Sequence, residues 1–114
     1  MPVCEITTNV TPADAAALSA RAAAAAAEVL GKPLSYVMAL VTVNASLTFG
    51  GTAAPAAYVT VGSIGAVGGA RNAPIVARMT ELVARELGVP PDRIYVGIRD
   101  IPRTDFGHNG ATFA

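Results

Sequence analysis

Charge is scarce in this 114-residue chain, and its two signs cancel. Charged residues make up 14% of the sequence, with eight basic and eight acidic side chains, against roughly 25% in a typical globular domain. The absence of a basic patch argues against nucleic acid as a partner, and the absence of an acidic tail argues against a cationic one. Hydrophobic residues reach 53%. So few charges predict that part of the surface is buried against other copies of the chain.

Cysteine is nearly absent as well. The single Cys4 excludes an internal disulfide and any CxxC framework for redox chemistry or zinc. A thiol site built from Cys4 and His108 lacks an orienting third group, so we do not favour it. No segment of signal-peptide type begins the chain, and Arg21 and Glu28 bound the alanine run at 22–27, which argues against a membrane span. We therefore expect a cytoplasmic protein, with export independent of a signal peptide as the alternative.

The length predicts a single domain over residues 1–114, and its pattern of elements occurs twice. The predicted strands cover residues 2–8, 36–43, 56–64 and 94–100. A helix that Thr11 caps and Gly31 ends lies between the first two strands. A helix that Asn72 caps and Gly88 ends lies between the last two. Both helices are followed by Gly-x-Pro, and the two glycines are 57 positions apart, at 31 and 88.

Two such units predict an α/β (α+β) fold, with a four-stranded mixed sheet and two antiparallel helices on one face. The segment 36–43 is a nearly continuous apolar run, which predicts a strand covered on both faces. In the last strand, alternate residues beginning with Ile94 would face the helices, and those beginning with Tyr95 would face away. We expect that second face to be bare and apolar, so that copies of the chain associate through it.

Proline at position 2 has the largest chemical consequence. The initiator methionine is normally trimmed before a small residue such as proline, which would leave a secondary amine at the terminus. An ordinary α-amino group has a pKa of about 8, and burial or a nearby cation would lower that pKa. A neutral amine at pH 7 can act as a general base. Pro2 is therefore a candidate catalytic residue, although one proline at this position is also expected by chance in some chains.

Three further positions are candidates for binding an anionic substrate. Lys32 follows the first helix directly, and it would either bind a carboxylate and lower the pKa of Pro2 or simply complement the helix dipole in solvent. The backbone N–H groups of Ser63-Ile64-Gly65 could bind an anionic oxygen, the alternative being a plain glycine turn. Tyr95 would either pack against a neighbour or direct its hydroxyl at a ligand.

The ordered motifs of the chain resemble the macrophage migration inhibitory factor (MIF) branch of the tautomerase superfamily. The resemblance covers essentially the whole chain. The motifs are MP at the start, TNV at 8–10, GKP at 31–33, FGG at 49–51, SIG at 63–65, PDRIY at 91–95 and NGATFA at 109–114. The resemblance implies two β-α-β units per subunit and a homotrimer.

The resemblance also implies residue roles and a reaction. Pro2 would be the catalytic base and then acid, Lys32 and the Ile64 N–H would bind the substrate carboxylate and nearby oxygens, and Tyr95 would come from the neighbouring subunit. The other substrate-binding positions are Phe106, His108 and Phe113. The implied reaction is the keto–enol tautomerisation of aryl pyruvates such as phenylpyruvate, or of dopachrome, without cofactor or metal. The alternative is a cytokine-like binding or signalling protein that retains the site.

The chain departs from the family pattern at several positions. Gly97 replaces an asparagine, which predicts a lost hydrogen bond and a larger pocket. His108 stands where tryptophan is common, and Phe106 takes a position usually held by a smaller residue, so we expect an altered substrate preference or a reduced rate. The CxxC of some members is absent, so thiol oxidoreductase activity is not expected. Thr11-Pro12 replaces a basic residue before the first helix, which argues against receptor binding.

Overall fold

The computed structural model describes residues 1–114 and contains a four-stranded sheet, two long helices and a short hairpin. The elements are β1 (Val3–Thr8), α1 (Ala15–Leu30), β2 (Met38–Val43), β3 (Ala57–Ser63), α2 (Asn72–Leu87), β4 (Ile94–Asp100), β5 (Gly107–His108) and β6 (Ala111–Thr112). The sheet order is β2-β1-β3-β4. β1 with β2 and β3 with β4 are parallel pairs, and β1 with β3 is antiparallel. The predicted α+β fold of two β-α-β units is confirmed.

The two units match in detail. α1 and α2 each have 16 residues and begin at positions 15 and 72, which are 57 apart. Each helix ends at a glycine in the left-handed conformation, with φ of 65° at Gly31 and 66° at Gly88, where a side chain would be strained. Each glycine is followed two residues later by a proline and a short 3-10 turn that leads into the next strand. The repeated Gly-x-Pro exit is therefore confirmed in both units.

The core lies between the helices and one face of the sheet. The sheet contributes fully buried apolar residues that alternate along β1 and β3, among them Ile6 and Val59. The buried side of α1 consists largely of alanine, whereas α2 supplies larger side chains such as Ile75, Met79 and Leu82. Neither helix has the length and apolar character needed to cross a membrane.

The predicted capping residues of both helices are wrong. α1 is capped by Asp14 and not by Thr11, because the extended Asp14 accepts a hydrogen bond from the Ala17 N–H at 3.0 Å and its negative charge suits the helix N-terminus. α2 begins at Asn72 itself. The Asn72 side chain accepts a hydrogen bond from the Gly68 N–H at 2.7 Å, so it stabilises the preceding turn and does not cap the helix.

The expectation for segment 36–43 is also wrong. Tyr36 belongs to a 3-10 turn, and β2 is an edge strand with only one face covered. On its open face the Met38 side chain is 64% exposed. The apolar run therefore does not indicate a central strand. It reflects an edge strand whose apolar side chains remain exposed on one face of the single chain.

The face of the sheet away from the helices, called here the outer face, is only partly apolar. Its side chains include Glu5, Met38, Leu40, Tyr58, Thr60, Tyr95 and Arg99, and position 97 among them is a glycine. Charged and hydroxyl groups thus lie between the apolar ones. The predicted exposure of this face is confirmed, whereas its uniform apolar character is not.

Candidate active site

A cavity of about 140 Å³, called here the Pro2 cavity, lies at the start of β1. Its lining is mostly apolar or aromatic and consists of Met1, Pro2, Val3, Tyr36, Met38, Phe106, Gly107, His108 and Phe113. Pro2 is fully buried, and its carbonyl oxygen accepts a hydrogen bond from the Met38 N–H at 3.0 Å. The parallel pairing of β1 with β2 therefore continues through Pro2 and holds it in the cavity lining.

The C-terminal hairpin supplies the aromatic side of the Pro2 cavity. β5 and β6 pair across Asn109 and Gly110, which have φ of 51° and 81°, the arrangement that Asn-Gly favours in a two-residue turn. The rings of Phe106 and Phe113 meet edge to face with centroids 5.9 Å apart, and the His108 ring stacks on Phe113 at 6.2 Å. The structure thus brings these three candidate residues together. The Asn-Gly pair is a sequence signal that could have predicted this hairpin.

Lys32 and Ile64 also lie together. The Lys32 Nζ donates a hydrogen bond to the Ile64 carbonyl oxygen at 3.3 Å, and the Lys32 N–H donates to the Ala27 carbonyl at the helix end. The Gly65 N–H donates to Asp100 Oδ1 at 3.1 Å, whereas the Ile64 N–H makes no hydrogen bond within the chain. Of these two N–H groups, only that of Ile64 is available to a ligand.

The amino terminus beside the Pro2 cavity lies near two positive charges. Burial, followed by the charges of Lys32 and then Arg103, lowers the pKa of the Met1 amine below its usual value. Neither cation takes part in the two ion pairs of the chain, both of which involve only helix residues. The Arg103 carbonyl accepts a hydrogen bond from the Phe113 N–H at 3.2 Å, which fixes its backbone beside the aromatic side of the cavity. Arg103 is not among the candidates identified from the sequence, since only the hairpin brings it here.

Tyr95 does not reach the Pro2 cavity of its own chain. It lies on β4, at the edge of the sheet opposite β2, and it is 66% exposed. A second cavity of about 340 Å³, called here the Tyr95 cavity, is lined by Leu47, Thr48, Phe49, Gly50, Ala57, Tyr58 and Tyr95. The ring centroids of Tyr95 and Phe49 are 4.8 Å apart. A site that combines Tyr95 with Pro2 therefore requires two chains.

The space above Gly97 is occupied, so the expected enlargement of a pocket is not found. A Cβ placed on Gly97 would lie 3.0 Å from Tyr58 Oη and 3.6 Å from Tyr58 Cε1. The Tyr58 side chain crosses from β3 to β4 and fills the gap that the missing side chain leaves. The phenol of Tyr58 therefore occupies the space next to Gly97 that a side chain at position 97 would otherwise take.

Cys4 has none of the properties of a reactive thiol. It is fully buried, and burial, with a smaller effect of Glu5, raises the pKa of its thiol to about 11. Its Sγ lies 3.9 Å from Met79 Sδ in the core. The thiolate that nucleophilic chemistry needs is therefore strongly disfavoured. No group of three or more His, Cys, Asp or Glu side chains lies in position to hold a metal ion.

Comparison with known proteins gives a consistent assignment. Residues 1–114 match the macrophage migration inhibitory factor family. Similar sequences include MIF homologs of Trichuris trichiura, 40% identical over 87 residues (76% of this chain and 76% of the homolog), and Trichinella spiralis, 32% identical over 114 residues (99% and 100%). The crystal structure of the Prochlorococcus marinus MIF homologue has a TM-score of 0.93 and 38% identity and covers 98% of this chain and 99% of that one. The chain therefore belongs to the macrophage migration inhibitory factor family.

Proposed function

We propose that the chain is a cofactor-free tautomerase that interconverts the keto and enol forms of aryl pyruvates, with phenylpyruvate as a substrate and dopachrome as a second one. The observation that carries the proposal is a buried proline at position 2, in an aromatic-lined cavity beside an amino terminus whose pKa is lowered. The apolar lining suits an aryl ring, and Lys32, which forms no ion pair within the chain, suits a carboxylate. Membership of the MIF family supports the same reaction class.

Pro2 acts first as base and then as acid. Met1 itself lines the Pro2 cavity, so its removal both empties part of the cavity and makes Pro2 the terminal amine. Lys32 and Arg103 lower the pKa of the Met1 amine, and a terminal Pro2 amine one residue away would be subject to the same two charges and to burial by the cavity lining. The neutral nitrogen accepts the proton of the enol hydroxyl as the carbonyl forms, and the resulting prolinium delivers a proton to the adjacent substrate carbon.

The other groups bind and orient the substrate. Lys32 exchanges its contact with the Ile64 carbonyl for the substrate carboxylate, and the Ile64 N–H donates to a nearby substrate oxygen. Their positive charge and dipole stabilise the negative charge that builds up on the enol system. The aryl ring lies among Phe106, His108 and Phe113. A homotrimer places Tyr95 of one subunit against the Pro2 cavity of the next and completes the site.

The test compares Pro2→Gly and Lys32→Ala with the wild type in a phenylpyruvate enol assay. All proteins are untagged at the N-terminus, and mass spectrometry establishes that Met1 is absent. Pro2→Gly should lose about 100-fold or more in kcat, the usual contribution of a general base. Lys32→Ala should lose about tenfold to 100-fold in kcat/KM, because it removes a charged hydrogen bond.

Two outcomes separate the proposal from its alternative. A wild-type sample that retains Met1 serves as a control, and it should be inactive because the proline nitrogen is then an amide. Equal rates for the wild type and both variants would overturn the proposal. The remaining candidate would then be a cytokine-like binding or signalling protein that retains the site without turnover.

A further inference from the structure

One asparagine of the chain differs from the other three in its surroundings. The chain has four asparagines, at positions 9, 44, 72 and 109. Asn9, Asn44 and Asn72 each hold their side-chain amide by hydrogen bonds to backbone groups. The Asn109 side chain forms no such bond and is exposed at the tip of the β5–β6 hairpin. Its amide carbon is therefore free to rotate towards a nucleophile.

The residue that follows Asn109 is also the least hindered of its kind. Val10, Ala45 and Ala73 follow the other three asparagines, whereas Gly110 follows Asn109. Because glycine has no Cβ, its backbone nitrogen is open to close approach and its backbone is the most permissive. A cavity of about 340 Å³ runs along residues 107–112, so water has access to the turn.

We propose that Asn109 is a site of spontaneous deamidation, and that the isoaspartate it forms opens the aromatic side of the Pro2 cavity. The Gly110 backbone nitrogen attacks Asn109 Cγ and gives up its proton. A new C–N bond closes a succinimide ring, and the side-chain nitrogen leaves as ammonia. Water then adds to one ring carbonyl. Cleavage of the ring at Cγ gives aspartate, and cleavage at the main-chain carbonyl carbon gives isoaspartate. Water is the only co-reactant.

The reaction proceeds when the hairpin opens. The turn holds Asn109 and Gly110 at φ of 51° and 81°, and the attack requires this backbone to rearrange. Only two residue pairs join β5 to β6, and the Phe113 N–H is shared between two carbonyl oxygens at 3.1 and 3.2 Å. Such a short element next to the end of a chain opens at a low cost in free energy. The closed hairpin therefore slows the reaction without preventing it.

The two products have different effects on the hairpin. Isoaspartate routes the main chain through the former side chain and adds a methylene group to the turn. Because loop length fixes the register of a hairpin, the same strand pairs cannot re-form. Phe113 then loses its contacts with Phe106 and His108, whose ring centroids lie 5.9 and 6.2 Å away. Aspartate keeps the original backbone, and Asp-Gly favours the same turn as Asn-Gly.

Incubation of the assembled protein in water enriched in heavy oxygen tests the modification. Peptide mass spectrometry should find labelled acid accumulating at position 109, while Asn9, Asn44 and Asn72 remain amides. An isoaspartyl methyltransferase should methylate the same peptide. Asn109→Gly is the matched control, because Gly-Gly also favours this turn and cannot deamidate.

A peptide of residues 103–114 sets the time scale of that incubation. An Asn109 that stays intact in the protein while the peptide is fully converted would overturn the proposal. Labelling of the other three asparagines at the rate of Asn109 would overturn it as well.

NMR tests the structural effect without a ligand. The isoaspartate form is separated from the parent protein by ion exchange. Nuclear Overhauser contacts between the rings of Phe106 and Phe113 should be present in the wild type, in Asn109→Asp and in Asn109→Gly, and absent from the isoaspartate form. Asn109→Asp separates the added charge from the lengthened backbone. Ring contacts that persist in the isoaspartate form would refute the opening of the cavity.

Activity measurements distinguish this inference from the proposed function, on which the modification itself does not depend. In the phenylpyruvate assay, kcat/KM should fall about tenfold in the isoaspartate form, because two aromatic contacts are lost. It should change about twofold or less in Asn109→Asp, the usual effect of an exposed charge. If the wild type is inactive but Asn109 converts and the ring contacts disappear, the proposed reaction fails and the modification site stands. If the wild type is active and Asn109 stays intact, the modification site fails alone.

Discussion

At the scale of single residues, the charge around the amino terminus controls the chemistry proposed for Pro2. A base must be uncharged to accept a proton, and the pKa of the Met1 amine, one residue before Pro2, is lowered by burial first and by Lys32 and Arg103 next. Lys32 is also proposed to bind the substrate, so its removal changes both the pKa of the terminal amine and the affinity for the substrate. Arg103 has no such second role, which makes it the better probe of electrostatics.

Arg103→Gln should raise the pKa of the Pro2 amine. A positive charge disfavours the protonated amine, so removing Arg103 stabilises that form and moves the acid limb of the kcat/KM profile to higher pH. The measurement is an NMR titration of the terminal amine together with the pH–rate profile. Arg85→Gln is the matched control, because Arg85 pairs with Glu81 on α2 and does not act on the terminus. An identical titration in Arg103→Gln and the wild type would refute the effect.

The positions of some candidate residues follow from local structure, which the sequence specifies. Lys32 directly follows the glycine that ends α1, and Ile64 directly follows β3, so both positions follow from the ends of predictable elements. Gly97 is different. Its consequence depends on how the Tyr58 side chain crosses from the neighbouring strand, and that direction depends on strand pairing that no local pattern specifies.

At the scale of elements, the segment 44–56 between β2 and β3 is held by a side chain from outside it. Asn9 donates hydrogen bonds to the carbonyls of Leu47, Ala53 and Ala54 at 3.0 to 3.2 Å and accepts one from the Ala56 N–H at 2.9 Å. This segment carries Phe49, which contacts Tyr95. Asn9 therefore supports one side of the Tyr95 cavity from a distance.

Asn9→Ala should destabilise the protein by about 2 kcal/mol, because it leaves several backbone groups without their partner. Urea unfolding at one fixed protein concentration measures the change. Asn44→Ala is the control, since the Asn44 side chain bonds only to Ser46 within its own turn, and it should cost less than about 1 kcal/mol. Equal stability losses in the two variants would show that the contacts of Asn9 do not hold the segment.

The ends of the helices could be predicted better than their beginnings. Few residues other than glycine adopt the left-handed conformation that ends a helix, so Gly31 and Gly88 predict both C-termini correctly. Several residues near each N-terminus can accept hydrogen bonds, and here Asp14 caps in place of Thr11. The turn between β5 and β6 could have been predicted from Asn109-Gly110. The two strands could not, because two residues each are too few to show an alternating pattern.

At the scale of the whole molecule, the exposed apolar side chains are concentrated on one side. Six of the eight exposed large apolar side chains lie on the outer face or directly beside β2, namely Leu34, Tyr36, Met38, Leu40, Tyr58 and Tyr95. The other two are Val43 at the end of β2 and Val76 on α2. The low charge content of the sequence predicts burial against other copies, and this distribution indicates where the burial occurs. The sequence cannot specify the number of copies, because periodicity identifies a face and not the partner that covers it.

Leu40→Glu should dissociate the proposed trimer. Leu40 and Val76 are each 38% exposed in the isolated chain, so Val76→Glu is a control matched for exposure. A carboxylate buried at an interface without a partner costs about 3 to 5 kcal/mol, whereas one on the solvent side of α2 costs little. Light scattering at micromolar concentration should report a trimer for the wild type and Val76→Glu and a smaller species for Leu40→Glu. A monomeric wild type would contradict the assembly.

The separation of the Pro2 cavity from the Tyr95 cavity within one chain has a genetic consequence. In the proposed trimer, a lesion at Pro2 inactivates the pocket of the chain that bears it, whereas a lesion at Tyr95 impairs the pocket of an adjacent chain. Two defective alleles of different kinds can therefore complement each other when their products co-assemble, because some pockets receive both halves intact. Two alleles damaged at the same end cannot.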